Sequence, residues 1–174
     1  EQNLYFSTLP EDTDEQLDFL IMSCHNPTVS HKDGHQGHAV WADIPQIISR
    51  ESNKKVRFAI LGGDQIYADA WREKILSEKD DTARLRLYLE AYRAFWSHPA
   101  YRNVMCRLPA VMIWDDHDIM DGWGSALESF IGDGDTFRPE WQGLFKSATT
   151  AFSIMQASRN PLTLAEKPIQ DGYD

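Results

Sequence analysis

The stretch Val56–Asp69, which reads VRFAILGGDQIYAD, carries the signal that decides the fold class. Its first half is mostly apolar and closes with Gly62 and Gly63, a pattern typical of a buried strand that feeds a tight turn. Asp64 follows the turn and Tyr67 lies three residues later, so both oxygens could reach one ion. The same spacing fits a simpler interpretation, in which Asp64 caps a helix and Tyr67 packs.

Two further apolar runs predict buried strands. Leu17–Cys24 ends in the polar stretch Ser23–Asn26, and Leu108–Trp114 is followed directly by Asp115 and Asp116. In α/β folds, ligands bind beyond the carboxyl ends of the strands. Since all three predicted strands end in potential metal ligands, we expect a metal site at that edge of the sheet.

Helical patterns separate the strands. They cover Ala39–Arg50, Ala68–Ser77, Asp81–Trp96, a short helix that starts at Pro99, and a long helix that starts at Pro139 and stops before Pro161. Cys106 falls on the apolar face of the short helix, which predicts an inert core thiol. Strands that alternate with helices predict parallel crossovers, and therefore a layered α/β domain.

The stretch Trp114–Gly124 reads WDDHDIMDGWG and holds four carboxylates and His117 close together. Carboxylates at this density repel one another unless solvent or a cation offsets their charge, so a metal or phosphate-handling role is one interpretation. A solvated acidic loop is the other. The histidine-rich segment His25–His38 is a weaker candidate, because it lacks the paired ligand spacing of a structural zinc site.

Composition limits the function classes. The 174 residues are 42% apolar and 25% charged, and no apolar run approaches the roughly 20 residues that span a bilayer. A net charge of −10 argues against general nucleic-acid binding. Two cysteines are too few for a disulfide framework and slightly favour a cytoplasmic over a secreted location. Glu1–Ser7 has the composition of a protease-cleavage tag and is interpreted as its remnant. Nothing in the sequence fixes the oligomeric state.

The motif GGDQIYAD, the later motif WDDHD and the strand-end SCHN before both resemble the alkaline phosphatase D (PhoD-like) family of calcineurin-like metallophosphoesterases. The resemblance covers Leu17–Gly124. It implies an α/β/β/α sandwich, of which residues 8–174 would be the N-terminal portion and hold only the first half. It also implies hydrolysis of small phosphate monoesters or diesters by a metal-bound hydroxide.

The resemblance further implies a role for each matching residue. By the same resemblance, the site would hold ferric iron and a second metal that is divalent, namely calcium. The four metal ligands would be Cys24, Asp64, Tyr67 and Asp116, and His117 would be the catalytic residue.

An uncertain register and two departures from the family pattern leave alternatives open. Asp115 competes with Asp116 as the ligand, and His25 has no assigned role because the wider superfamily places an Asp and His pair near that position. No histidine follows His117, although the superfamily supplies later ligands. We therefore expect a chain that is incomplete as a catalyst, or a non-catalytic relative that binds metal or a protein partner through the same loops.

Overall fold

The computed structural model describes residues 18–26, 39–49, 56–125, 130 and 137–160. The tag remnant and the histidines between His25 and Ala39 lie outside these ranges. The elements in chain order are β1 (Asp18–Met22), α1 (Ala39–Ser49), β2 (Val56–Gly62), a 3₁₀ turn (Ala68–Trp71), α2 (Arg72–Ser77), α3 (Asp81–Trp96), α4 (Pro99–Met105), β3 (Ala110–Ile113), α5 (Asp116–Ile119), α6 (Pro139–Met155) and a second 3₁₀ turn (Ala157–Arg159).

The three strands form one parallel sheet in the order β1-β2-β3. Leu61 pairs with Met22 on one side and with Met112 on the other, so the three strands end nearly level. The outer edge of β3 is covered by a side chain, since the Asn160 amide accepts from Met112 N at 2.7 Å and donates to Met112 O at 2.8 Å. The predicted α/β class with parallel crossovers is confirmed.

Local sequence signals explain where the helices begin. The Asp80 carboxylate accepts from Ala83 N at 2.9 Å and caps α3. Pro99 and Pro139 occupy the first turn of α4 and α6, where the missing N–H of proline costs nothing. The predicted bounds of α3 agree with the structure, and α1, α4 and α6 start where the sequence indicated, whereas the helix predicted over Ala68–Ser77 divides into a 3₁₀ turn and α2, and α5 was not predicted.

One face of the sheet is buried against the helices. Alternate strand residues belong to a single core cluster that also contains side chains of α1, α3, α4 and α6. On the sheet, this face consists of Leu20, Met22, Ala59, Leu61, Ala110 and Met112. Aromatic residues supply most of the helical side, and Tyr88, Tyr92 and Tyr101 are among the largest fully buried side chains.

The opposite face of the sheet is apolar and is not covered by the described residues. It consists of Phe19, Ile21, Phe58, Ile60, Val111 and Ile113. Ile21 is 70% exposed and Ile113 is 56% exposed. Parallel sheets are normally buried on both faces, so this face, which the described residues leave bare, is an unusual feature of the described part of the chain.

Two details of the sequence interpretation are wrong. Cys106 is exposed at the C-terminal end of α4, where its thiol donates to Asn103 O, because the buried stripe runs through Tyr101, Val104 and Leu108 and Cys106 lies on the other side. Asp64 is not a helix cap. The following turn of helix starts at Ala68 and has no side-chain cap, so the simpler interpretation of the GGDQIY motif fails on this point.

The turn after β2 requires glycine. Gly63 has φ +106°, which L side chains rarely adopt, and a Cβ there would lie 2.5 Å from Asp115 Cβ. This close approach brings the loop after β2 against the loop after β3. Gly124 also has a positive φ, +89°, but a Cβ there would meet nothing within 4 Å.

We predict that Gly63→Ala destabilises the chain by about 2–4 kcal/mol, because backbone strain and the clash with Asp115 add. Gly124→Ala is the matched control and should cost about 1 kcal/mol from strain alone. Urea unfolding followed by tryptophan fluorescence gives both values. Equal losses in the two variants would show that the contact between the loops does not constrain the turn.

Candidate metal centre

Asp64 leaves the end of β2 in a strained backbone conformation. Its φ is 53° and that of Cys24 is 59°, the left-handed region that non-glycine residues rarely occupy. The two loops are paired beyond the strands, since Cys24 N donates to Gly63 O at 3.2 Å and His25 N donates to Asp64 O at 3.1 Å. This pairing holds the loop after β1 beside the loop after β2.

Three side chains converge at this edge of the sheet. One ligand atom from each of Asp64, Asp116 and His117 lies within 4.8 Å of the other two. Asp64 is 5% exposed, and its buried Oδ1 has no hydrogen-bond partner among the described residues. A buried carboxylate oxygen without a donor is costly, and a bound cation would offset that cost.

Asp116, rather than Asp115, belongs to this group. The Asp115 carboxylate caps α5, accepting from Asp116 N at 2.9 Å. Asp116 also accepts two backbone bonds, from His117 N at 3.0 Å and from Gly122 N at 2.7 Å, which fix its side chain. The geometry therefore favours Asp116 over Asp115 as the candidate metal ligand.

His117 is oriented by a carboxylate on another loop. Its Nδ1 lies 2.6 Å from Asp69 Oδ2, and Asp69 Oδ1 accepts from Asp121 N at 2.7 Å. Because the carboxylate can only accept, Nδ1 carries the proton and Nε2 is left as the second functional nitrogen. Burial lowers the pKa of His117, but the carboxylates of Asp69, Asp64 and Asp116 together raise it above the ordinary value.

Cys24 and Tyr67 lie beside Asp64. Burial raises the pKa of Tyr67, and the nearby Asp64 and Cys24 raise it further. The Tyr67 ring packs against His117 with centroids 4.3 Å apart. The five residues that the resemblance indicated are therefore brought to one region, although Cys24 lies outside the group of three within 4.8 Å.

His25 is placed differently. It is 3% exposed and lies between the rings of Trp41 and Tyr101, with both centroids 4.9 Å away. It therefore contributes to aromatic packing behind the loop, and it is not part of the carboxylate group found among the described residues.

Burial raises the pKa of Asp64, and the charges of Asp116 and Asp115 add to this effect. The interaction with Cys24 and the charge of His117 act in the opposite direction. Several carboxylates with one partly charged imidazole make the region negative overall. A cation at the point of convergence would relieve this repulsion.

Asp118 belongs to the same motif but serves the structure. It is 2% exposed, and its Oδ1 accepts from Gln65 N at 3.0 Å, from Ile66 N at 3.2 Å and from Gln156 Nε2 at 2.8 Å. Its Oδ2 accepts from Asp115 N at 3.0 Å. With these donors around it, Asp118 joins the loops after β2 and β3 to the end of α6.

Sequence reasoning missed three residues of this region: Asp69, Asp118 as a buried acceptor, and Gln156. Asp69 stands at the end of the GGDQIYAD motif, so its acidic side chain near a candidate site was a usable signal. Gln156 carries no comparable signal, because a glutamine at the end of a long helix is ordinary and its contact with Asp118 spans 38 residues.

The donor set fits a metal ion. Two carboxylates, an imidazole and a neighbouring phenol and thiol can ligate both hard and borderline cations, and a cation would compensate the buried Asp64 oxygen, which has no hydrogen-bond partner among the described residues. Asp64 and Asp116 are the residues best placed to hold it. The chain thus has a candidate metal site, a polar cluster at the carboxyl edge of a parallel sheet.

Comparison with known proteins identifies the family. The model of the PhoD-like phosphatase family matches residues 19–167, and the chain belongs to that family. It is similar to the uncharacterized protein YGR266W of Saccharomyces cerevisiae, with 27% identity over a match that covers 64% of this chain and 20% of the yeast protein. This chain therefore spans about a fifth of that relative's length. No solved structure matches it significantly.

The family assignment made from the motifs is confirmed, and the family supports a metal-binding phosphatase. A separate finding concerns membranes. Within the described ranges, the helices are too short or too polar for any of them to cross a bilayer.

We predict that Asp118→Ala destabilises the chain by about 3–5 kcal/mol, because it leaves several buried N–H donors without an acceptor. Asp121→Ala removes an exposed carboxylate from the same segment and should change stability by less than about 0.5 kcal/mol. Urea denaturation of both variants measures the difference. A small effect of Asp118→Ala would mean that the two loops are held together by other contacts.

Proposed function

We propose that this chain contributes the first part of a metal-dependent phosphoesterase site that hydrolyses small phosphate monoesters or diesters. The convergence of Asp64, Asp116 and His117 within 4.8 Å carries the proposal. Membership in the PhoD-like phosphatase family supports the reaction class. The buried, partnerless oxygen of Asp64 supports the need for a cation.

Asp64 and Asp116 would hold the metal, with Cys24 and Tyr67 as further ligands. A bound cation supplies the positive charge that lowers the pKa of water and neutralises the phosphate. On the family resemblance we propose ferric iron with a second metal, calcium, and the oxygen-rich donor set is compatible with both. Because the pKa of Tyr67 is raised, its phenol keeps its proton unless a cation displaces it.

His117 would move the proton. Asp69 holds Nδ1–H at 2.6 Å, so Nε2 is the atom that can donate a proton to, or accept one from, the reacting group. The carboxylates of Asp69, Asp64 and Asp116 raise the pKa of His117 and so favour its protonated form. The imidazole is thereby suited to donating a proton to the leaving oxygen of the ester.

The bare face of the sheet supports the sandwich architecture. We propose that a second β layer packs on the face of Phe19, Ile21 and Ile113, as the α/β/β/α arrangement requires. The support is physical, since a parallel sheet with six apolar side chains on one face is stable when that face is covered.

We predict that Asp64→Asn weakens metal binding by at least about tenfold, because a neutral amide replaces a buried charge. Asp121→Asn makes the same chemical change at an exposed position outside the group and should leave the affinity unchanged. Calorimetric titration with Ca²⁺ and elemental analysis of iron-loaded protein measure both variants. Parental metal binding in Asp64→Asn would place the metal elsewhere.

We also predict that His117→Ala keeps its metal and loses about 10²- to 10⁴-fold in turnover of bis(4-nitrophenyl) phosphate. Asp69→Asn should cause a smaller loss of turnover with unchanged metal content, because it disturbs the tautomer of His117 and not a ligand. Loss of metal and activity together in His117→Ala would identify the histidine as a ligand. Unchanged turnover in both variants would remove the pair from the mechanism.

A further inference from the structure

A cavity of ≈ 460 Å³ adjoins His117 on the side formed by the first 3₁₀ turn and α3. Its volume is in the range of pockets that hold small molecules. The residues that matter for its chemistry are Tyr67, Asp69, Trp71, Phe95, His117 and Asp121. We call this cavity the aromatic pocket.

The wall of the aromatic pocket is a continuous series of rings that starts at the imidazole. Tyr67 packs against His117 with centroids 4.3 Å apart and stacks against Phe95 at 6.0 Å. Trp71 follows, with its centroid 6.2 Å from that of Phe95. Phe95 is 2% exposed and therefore fixed in place, whereas Trp71 is partly exposed. A flat apolar group could stack here beside His117.

The charged and titratable groups that line the aromatic pocket are two carboxylates and one imidazole. His117 is engaged by Asp69, which also accepts from the N–H of Asp121, while the Asp121 side chain is exposed. Neither lysine nor arginine occurs among the described residues that line it. Because the imidazole is already paired with Asp69, an anionic group in the aromatic pocket would lie near the Asp121 carboxylate without a cationic side chain of its own.

We propose that the aromatic pocket binds the alcohol portion of the phosphoester substrate and selects a neutral, flat, apolar group, such as an aryl alcohol. This inference rests on the proposed function. In hydrolysis, water oxygen bonds to phosphorus and releases a proton, the bond from phosphorus to the ester oxygen breaks, and the leaving oxygen takes a proton from His117, which the released proton restores. Because His117 donates to the leaving oxygen, the departing alcohol must lie beside His117, and this residue also lines the aromatic pocket.

The pocket can be tested without metal or turnover. The probe is 2-naphthol, titrated into the ¹⁵N-labelled, metal-free chain while the tryptophan indole N–H signals are recorded. The Trp71 signal, assigned by its absence in Trp71→Phe, should shift saturably. Inorganic phosphate should not move it. A Trp71 signal that 2-naphthol leaves in place would overturn the proposal, and so would a stronger shift with tetramethylammonium, which would indicate a cation site.

Variants of the pocket give a quantitative test. Trp71→Ala should weaken 2-naphthol binding about five- to tenfold, the loss expected for one stacked ring. If that variant does not fold, Ala94→Gln fills the pocket from an exposed helix position and should weaken binding similarly. Ile21→Ser, on the bare face of the sheet, is the control and should leave the affinity unchanged. Unchanged binding in Ala94→Gln, or lost binding in Ile21→Ser, would contradict the assignment.

The preference of the aromatic pocket for a neutral ligand can be tested separately. 2-Naphthoate should bind more weakly than 2-naphthol, and Asp121→Asn should reduce that difference by about threefold or more. An unchanged difference would show that Asp121 does not set the charge preference.

If 2-naphthol binds as expected while Asp64→Asn keeps both metal and activity, the proposed hydrolase fails and the pocket stands. Absent binding together with metal loss in Asp64→Asn would refute the pocket alone.

Discussion

A buried carboxylate joins the segments on which the candidate site depends. Asp118 accepts from Gln65 and Ile66 after β2, from Asp115 after β3, and from Gln156 after α6. Burying a carboxylate without donors would cost several kcal/mol, whereas here both oxygens are occupied. Burial raises the pKa of Asp118 to about 7, while the N–H groups that point at it favour the ionised form. The two acidic loops are thereby held in one arrangement.

The position of each candidate ligand follows from that arrangement. Asp64 directly precedes Gln65, and Asp116 directly follows Asp115, so fixing these neighbours through Asp118 fixes the separation of the two carboxylates. The left-handed backbone of Asp64 is unfavourable by itself and is maintained because the surrounding bonds determine it. Strain at this residue and its partnerless oxygen coincide, which is typical of a functional position.

The sequence predicted what depends on local pattern and on topology rules. Strand runs that end in Asp64 and Asp116 had to meet at one edge once the sheet was parallel, and this edge is where the structure has them. The contact of Asp69 with His117 spans 48 residues and depends on how two loops turn, which periodicity does not encode. Cys106 shows the opposite failure, since it was assigned to the apolar face of the helix, whereas the buried stripe runs through Tyr101 and Val104 and leaves Cys106 exposed.

The uncovered apolar face of the sheet and the small number of candidate ligands both call for further elements next to this sheet. Asp64 and Asp116 are the two converging candidate ligands among the described residues, whereas a calcium site would take about six or more, so further ligands would have to come from Cys24, Tyr67, water or residues outside the described ranges. A second β layer placed on the face of Ile21 and Ile113 would bring its own strand ends close to the carboxyl edge where Asp64 stands. The same elements would then cover the apolar face and complete the coordination of the metal. In layered α/β folds the strands form the packed layer, and the loops that directly follow those strands carry the ligands.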